Sequence, residues 1–135
     1  MASDEAELVF DDVYAEERRY YEETGIHPPM HTVAVRDEVL AEHPWVAVNL
    51  YDAFCEARDR CLEWNRSPAS HASLPWSHLH RHEYRSVLGD DVWEFGLTEK
   101  TRRELSTFAR YAENQGLADR RYDPEELFVD ATVGL

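Results

Sequence analysis

The chain has 135 residues and carries 28 Asp and Glu against 14 basic residues, a formal net charge of -14, with Lys100 as its single lysine. So acidic a surface argues against nucleic acid and anionic membranes as partners, because both would repel it. The length allows one domain with a modest core. The near-absence of lysine points to a halophilic protein, since concentrated salt screens self-repulsion. No apolar run approaches a membrane span, and Met1-Ala2-Ser3-Asp4-Glu5 lacks the basic and apolar regions of a signal peptide, which predicts a cytoplasmic protein without a membrane span.

Residues 1–8 are acidic, unpatterned and expected to fray. Asp11 or Asp12 can cap a helix over Val13 to Glu23, with Val13, Tyr14, Tyr20 and Tyr21 available to one side and Gly25 as its stop. Pro28 and Pro29 cannot donate backbone hydrogen bonds and bias the residues before them to extended conformations, so Ile26 to Met30 should be a fixed lead-in. His31 to Arg36 then alternates as a short strand, with His31, Val33 and Val35 pointing one way. A single strand needs neighbours for its backbone groups, and no other stretch reads strongly as one.

Asp37 to Glu42 makes a short helix, and Pro44 suits the first turn of the next. Ala47, Leu50, Phe54, Ala57, Cys61 and Trp64 step by three and four residues opposite Asn49, Asp52, Glu56, Asp59 and Glu63, which predicts a long helix with the aromatic stripe in the core. Cys55 and Cys61 lie roughly 9 Å apart along such a helix, too far for a disulfide, and are expected to be small core residues. Asn65 to Leu74 reads as a loop, and Pro75 opens a helix to about Leu88. His78 and His82 stand one turn apart there with Glu83 close by, but no third ligand is in register, so no metal is expected. Val92, Trp93 and Phe95 should plug into the core from a turn over Gly89 to Gly96. Thr98 then caps a helix to about Gln115 with Thr101, Leu105, Phe108 and Ala112 on one face, and Asp123-Pro124-Glu125-Glu126 opens a short final helix.

The run Gly25-Ile26-His27-Pro28-Pro29-Met30-His31-Thr32-Val33, followed by Arg36, His43-Pro44-Trp45-Val46-Ala47 and Leu50 to Ala57, resembles the C-terminal part of the 4,5-dihydroxyphthalate decarboxylase family. The likeness continues more loosely through Leu74-Pro75-Trp76, Gly89 to Trp93, Gly96-Leu97 and Pro124 to Phe128. It implies an α/β fold like that of the two-lobed type 2 periplasmic binding proteins. In that frame residues 1–135 are a single partial domain, the C-terminal segment of the fold, mostly helical with one confident short strand. It also implies a carboxy-lyase acting on an aromatic acid, or a truncated remnant of one. The alternative is a non-catalytic solute-binding module of an ABC-type transporter for a small organic anion.

No phosphate-cradling glycine loop, serine nucleophile elbow, CxxC pair or HExxH helix occurs, and no cofactor is expected. The residues do offer an imidazole at the mouth of a strand after a rigid diproline, which can partner a buried carboxylate or, as a structural group, cap or crosslink backbone at the strand edge. Decarboxylation requires a carboxylate held out of water and a proton delivered to the ring carbon, and His31 could serve either task. The resemblance therefore nominates His31 as catalytic and His27, Met30 and His31 as substrate-binding. His27 departs from the aromatic residue expected at its position. A partner chain supplying the missing N-terminal lobe is implied, because one strand and a few helices cannot enclose a ligand between two lobes.

Overall fold

The computed structural model describes residues 7–67, 76–90 and 92–135. Among them five α-helices succeed one another: α1 Val13–Thr24, α2 Asp37–Glu42, α3 Val46–Arg66, α4 Ser77–Leu88 and α5 Glu99–Asn114. Two 3-10 turns, Pro124–Leu127 and Asp130–Thr132, come after α5. The expectations for residues 1–6, for most of the loop over 65–74 and for Pro75 as a helix opener lie outside the described residues.

Local chemistry sets the helix ends. Asp12 caps α1, its Oδ1 accepting the Ala15 N–H at 3.0 Å. Arg18–Glu22 and Arg19–Glu23 pairs one turn apart line the exposed side of α1, where solvent screening leaves each a minor contribution. Gly25 comes next with φ 64, the left-handed conformation that halts a helix and suits glycine. At α5 the Thr98 hydroxyl accepts the Thr101 N–H while the Thr101 hydroxyl accepts the Thr98 N–H, and the Thr101 hydroxyl also donates to the Gly96 carbonyl at 2.6 Å. That reciprocal cap ties the helix start to the turn before it.

The expected α/β fold is not the one the chain adopts. No strand occurs among the described residues, and the fold class is α-helical. Residues 31–36 form an irregular connection between α1 and α2, with Val33 62% exposed. The alternation of His31 to Arg36 is real, but a strand exists only where a second strand takes its backbone groups, and none is offered.

The long helix is present as expected, with Ala47 buried and Leu50 half-buried as members of the expected stripe, but from Tyr51 onward its inward side is rotated by one residue. Tyr51, Cys55, Arg58, Leu62 and Asn65 are half-buried, whereas Ala57 and Cys61 are exposed and Phe54 and Trp64 are 45% and 63% exposed. α2 and the second 3-10 turn pack on α3, α4 packs on α1, and the first 3-10 turn packs on α5. The end of the described chain reaches the 92–97 turn closely enough that a Cβ on Gly96, φ 89, would stand 2.8 Å from the Leu135 carbonyl oxygen and 3.0 Å from the Tyr51 hydroxyl. Phe95 lies under the Arg58 guanidinium at 5.1 Å, so this turn docks as a lid on α3 more than as a plug in a core.

Little is enclosed. The buried apolar side chains among the described residues are Ile26, Ala47, Leu97, Leu105, Ala109 and Pro124. The chain exposes 11020 Å², whereas a compact folded monomer of 15.8 kDa exposes about 7,300 Å². Buried area is therefore about half that of the unfolded chain rather than the two thirds usual for this size.

The final turn is held electrostatically. Arg120 makes two hydrogen bonds to Glu126, 3.0 and 2.7 Å, and the Asp123 N–H donates to the same carboxylate at 2.8 Å. The Arg120 guanidinium, helped by that N–H, holds the Glu126 carboxyl down at about 2 from an ordinary 4.5. A group lowered on folding stabilises above its unfolded value and loses that contribution as pH falls through the folded one. NMR titration of the Glu126 carboxyl carbon should therefore show a midpoint near 2. In Arg120→Gln the midpoint should rise toward the ordinary carboxylate range, the Asp123 N–H still holding it somewhat low.

Candidate functional site

The His27 to His31 segment leaves α1 through a fixed turn. The Gly25 N–H donates to the Tyr21 carbonyl at 2.6 Å, the Thr24 hydroxyl donates to the Tyr20 carbonyl at 2.6 Å, and the Ile26 N–H donates to the Thr24 hydroxyl at 3.1 Å. These bonds satisfy the polar groups of the last helical turn locally, so the chain leaves in one direction.

α5 receives it. The Arg103 guanidinium donates to the Thr24 carbonyl, and Glu104 Oε1 accepts the His27 N–H at 3.1 Å. Glu104 is only 4% exposed and Ile26 beside it 7%, so a carboxylate and an isoleucine are covered together at this junction. Burying a carboxylate requires hydrogen-bond donors, and the backbone N–H just before the diproline is one of them. Gly25 is needed on a second count, because a Cβ there would meet Arg103 Nη2 at 2.6 Å.

Beyond His27 the support ends. His27 is half-buried, while Pro28, Pro29, Met30 and His31 are exposed, Met30 at 72%. The three nominated residues thus sit on one anchored segment, with the backbone of the first bound to α5 and the side chains of the other two toward solvent. A shallow groove lies elsewhere, between α3 and α4, lined by Arg66, Arg81, Arg85, Tyr84 and Trp93 among others. Asp90 pairs with Arg85 there, while no carboxylate pairs with Arg66 or Arg81 among the described residues. Among the described residues no group of three potential metal ligands forms, and Glu83 lies instead against Tyr14, whose phenol it pushes up.

Glu104 escapes a reading of the sequence because a glutamate on a surface helix is ordinarily solvated. Its signal is position: it lies three residues after Thr101 and four before Phe108, within the stripe expected to face inward. Phe108, the apolar member of that stripe, is 61% exposed.

No family model matches the chain. Over 130 residues, 96% of its length, it is 28% identical to a 4,5-dihydroxyphthalate decarboxylase of Comamonas testosteroni. The chain spans 39% of the length of that curated relative. No helix among the described residues is long and apolar enough to cross a membrane.

Removing the acceptor at the junction gives a direct measure of the dock. Glu104→Ala should lower unfolding stability by about 1–3 kcal/mol, the usual consequence of leaving a covered donor unpaired. In urea the midpoint should fall with the slope unchanged. Glu104→Gln, which keeps an acceptor oxygen, should lose less.

Proposed function

We propose that the chain is the C-terminal part of a decarboxylase-like unit that acts on a dihydroxylated aromatic acid of the 4,5-dihydroxyphthalate type. The observation that carries this reading is the 28% identity to the Comamonas testosteroni decarboxylase, sustained across 96% of the chain. The 39% coverage of that relative and the chain's large exposed surface support its working together with further polypeptide.

Loss of carbon dioxide from an aromatic ring breaks the ring-to-carboxylate bond and leaves its electron pair on the ring carbon, where a proton must arrive. In this proposal His31 donates that proton or pairs with the neighbouring carboxylate, and His27 and Met30 contact the substrate. The anchored turn favours such a role. Glu104 and Arg103 fix the backbone at Thr24 and His27, and the diproline limits the freedom of the residues after it, so His31 is presented at low entropic cost. Its exposure leaves the imidazole free to face a cleft closed from the other side. The surface charge of -14 fits operation in concentrated salt, where the screening length shrinks to about 3 Å at 1 M and substrate anions are no longer repelled.

The experiment is release of carbon dioxide from 4,5-dihydroxyphthalate by the chain assembled with the remainder of such a unit. His31→Gln should keep the melting temperature and lower turnover ten- to a hundredfold, the equivalent of one charge-assisted hydrogen bond of about 1.5–3 kcal/mol. An assembled wild-type unit that releases no carbon dioxide would reject the decarboxylase reading. Full activity in the variant would reject the role of His31.

A further inference from the structure

The groove between α3 and α4 gathers positive charge on a chain that is acidic as a whole. Helical spacing puts it there: Leu62 and Arg66 stand four residues apart on α3, and Arg81, Tyr84 and Arg85 three and four apart on α4, so each helix turns one face to the groove. Among the described residues its lining holds three arginines against one carboxylate, Asp90, in a chain with 28 acidic and 14 basic residues. That carboxylate is committed to Arg85, accepting from its Nε at 2.7 Å and from a second guanidinium nitrogen. Asp59, at the edge of the groove, pairs with Arg58. Arg66 and Arg81 make no ion pair or hydrogen bond among the described residues.

Arginine near a helix C-terminus often serves the helix dipole, which accounts for Arg66 in the last turn of α3 and Arg85 in the last turn of α4. It does not account for Arg81, which stands further inside α4 and is half-buried without a carboxylate. An incoming anion offsets the desolvation of such a guanidinium with charge-assisted hydrogen bonds.

The walls select the anion. Tyr84 and Trp93 contribute rings and Leu62 and Val92 apolar surface, with Trp93 50% exposed. The Trp93 carbonyl accepts from Arg58 Nη1 at 3.4 Å, which ties this wall to α3. Rings beside guanidinium suit a flat acid that lays its own ring on carbon and turns its carboxylates to the arginines. No helix N-terminus lines the groove among the described residues, so a bare phosphate lacks the backbone donors that usually cradle it.

We infer that the groove between α3 and α4 binds an aromatic dicarboxylate, its carboxylates on Arg66 and Arg81 and its ring against Trp93 and Tyr84. The inference rests on the proposed function for the class of acid, and it places a site for that class on residues other than His27, Met30 and His31.

The test titrates the intact 135-residue chain with phthalate, which has the two carboxylates and the ring but no hydroxyls, at the lowest potassium chloride concentration that keeps the helical circular dichroism complete. In NMR spectra the Trp93 indole N–H and the Nε–H groups of Arg66 and Arg81 should shift together and saturate. Arg66→Gln and Arg81→Gln should each weaken binding roughly ten- to a hundredfold, the loss of one charge-assisted hydrogen bond, with circular dichroism unchanged. Arg60→Gln removes the same charge from α3 outside the groove, where Arg60 pairs with Glu56, and should leave affinity within about twofold. Cyclohexane-1,2-dicarboxylate and inorganic phosphate, anions without an aromatic ring, should bind several-fold more weakly. Three results would overturn the inference: no saturable shift, equal affinity in either groove variant that keeps its helices, or a ringless anion as tight as phthalate, which makes the groove an unselective anion site. Phthalate binding by a chain whose assembled unit releases no carbon dioxide removes the decarboxylase reading and leaves the site standing. Carbon dioxide release with no phthalate at the groove does the reverse.

Discussion

A covered carboxylate on α5 accepting a backbone N–H from the turn after α1 is the tie on which the described fold depends. Glu104 and His27 are 77 residues apart in sequence, and with the Arg103 bond to the Thr24 carbonyl they close the two ends of the helical body on one another. Without a sheet to gather distant segments, such a chain has only helix faces and side-chain bonds to do so. The tie also explains the conformations near it: Gly25 must be left-handed to end α1, and must lack a Cβ to admit Arg103.

Elsewhere ion pairs carry much of the organisation. Arg102 joins α5 to the first 3-10 turn through Glu125 and reaches back to the Leu97 carbonyl at 2.9 Å, while Arg121 meets Glu113 at 3.3 Å. Exposed pairs of this kind contribute little each. They sit on a framework with few buried apolar side chains among the described residues, so the hydrophobic share of stability is small for a chain of this length.

Legibility in the sequence tracks the range of the chemistry. The Asp12 cap, the Gly25 stop, the Thr98 cap and the Glu126 link to Asp123 are each decided within four residues, and each stands where the residues place it. The strand expected over 31–36 is absent because alternation specifies a face only when a neighbour supplies the ladder. α3 departs from expectation more instructively. Its most apolar stripe, ending in Phe54, Ala57, Cys61 and Trp64, is the natural choice for a core, yet this chain lays Tyr51, Cys55, Arg58 and Leu62 inward. Periodicity shows which residues share a face and is silent on which face the fold turns inward. Of the residues nominated for chemistry, His27 is placed by a bond to α5 that local sequence does not reveal, and His31 and Met30 stand on its far side in solvent.

The span of 77 residues between His27 and Glu104 also has a consequence for how the protein is made. At a synthesis rate of about 5–20 residues per second, roughly 4–15 s separate the two positions on the ribosome. Throughout that interval α1 and its turn have no α5 to rest on, and Ile26, later among the best-covered side chains, faces water or whatever receives the nascent chain. The order of translation thus completes the diproline segment well before the helix that fixes its place.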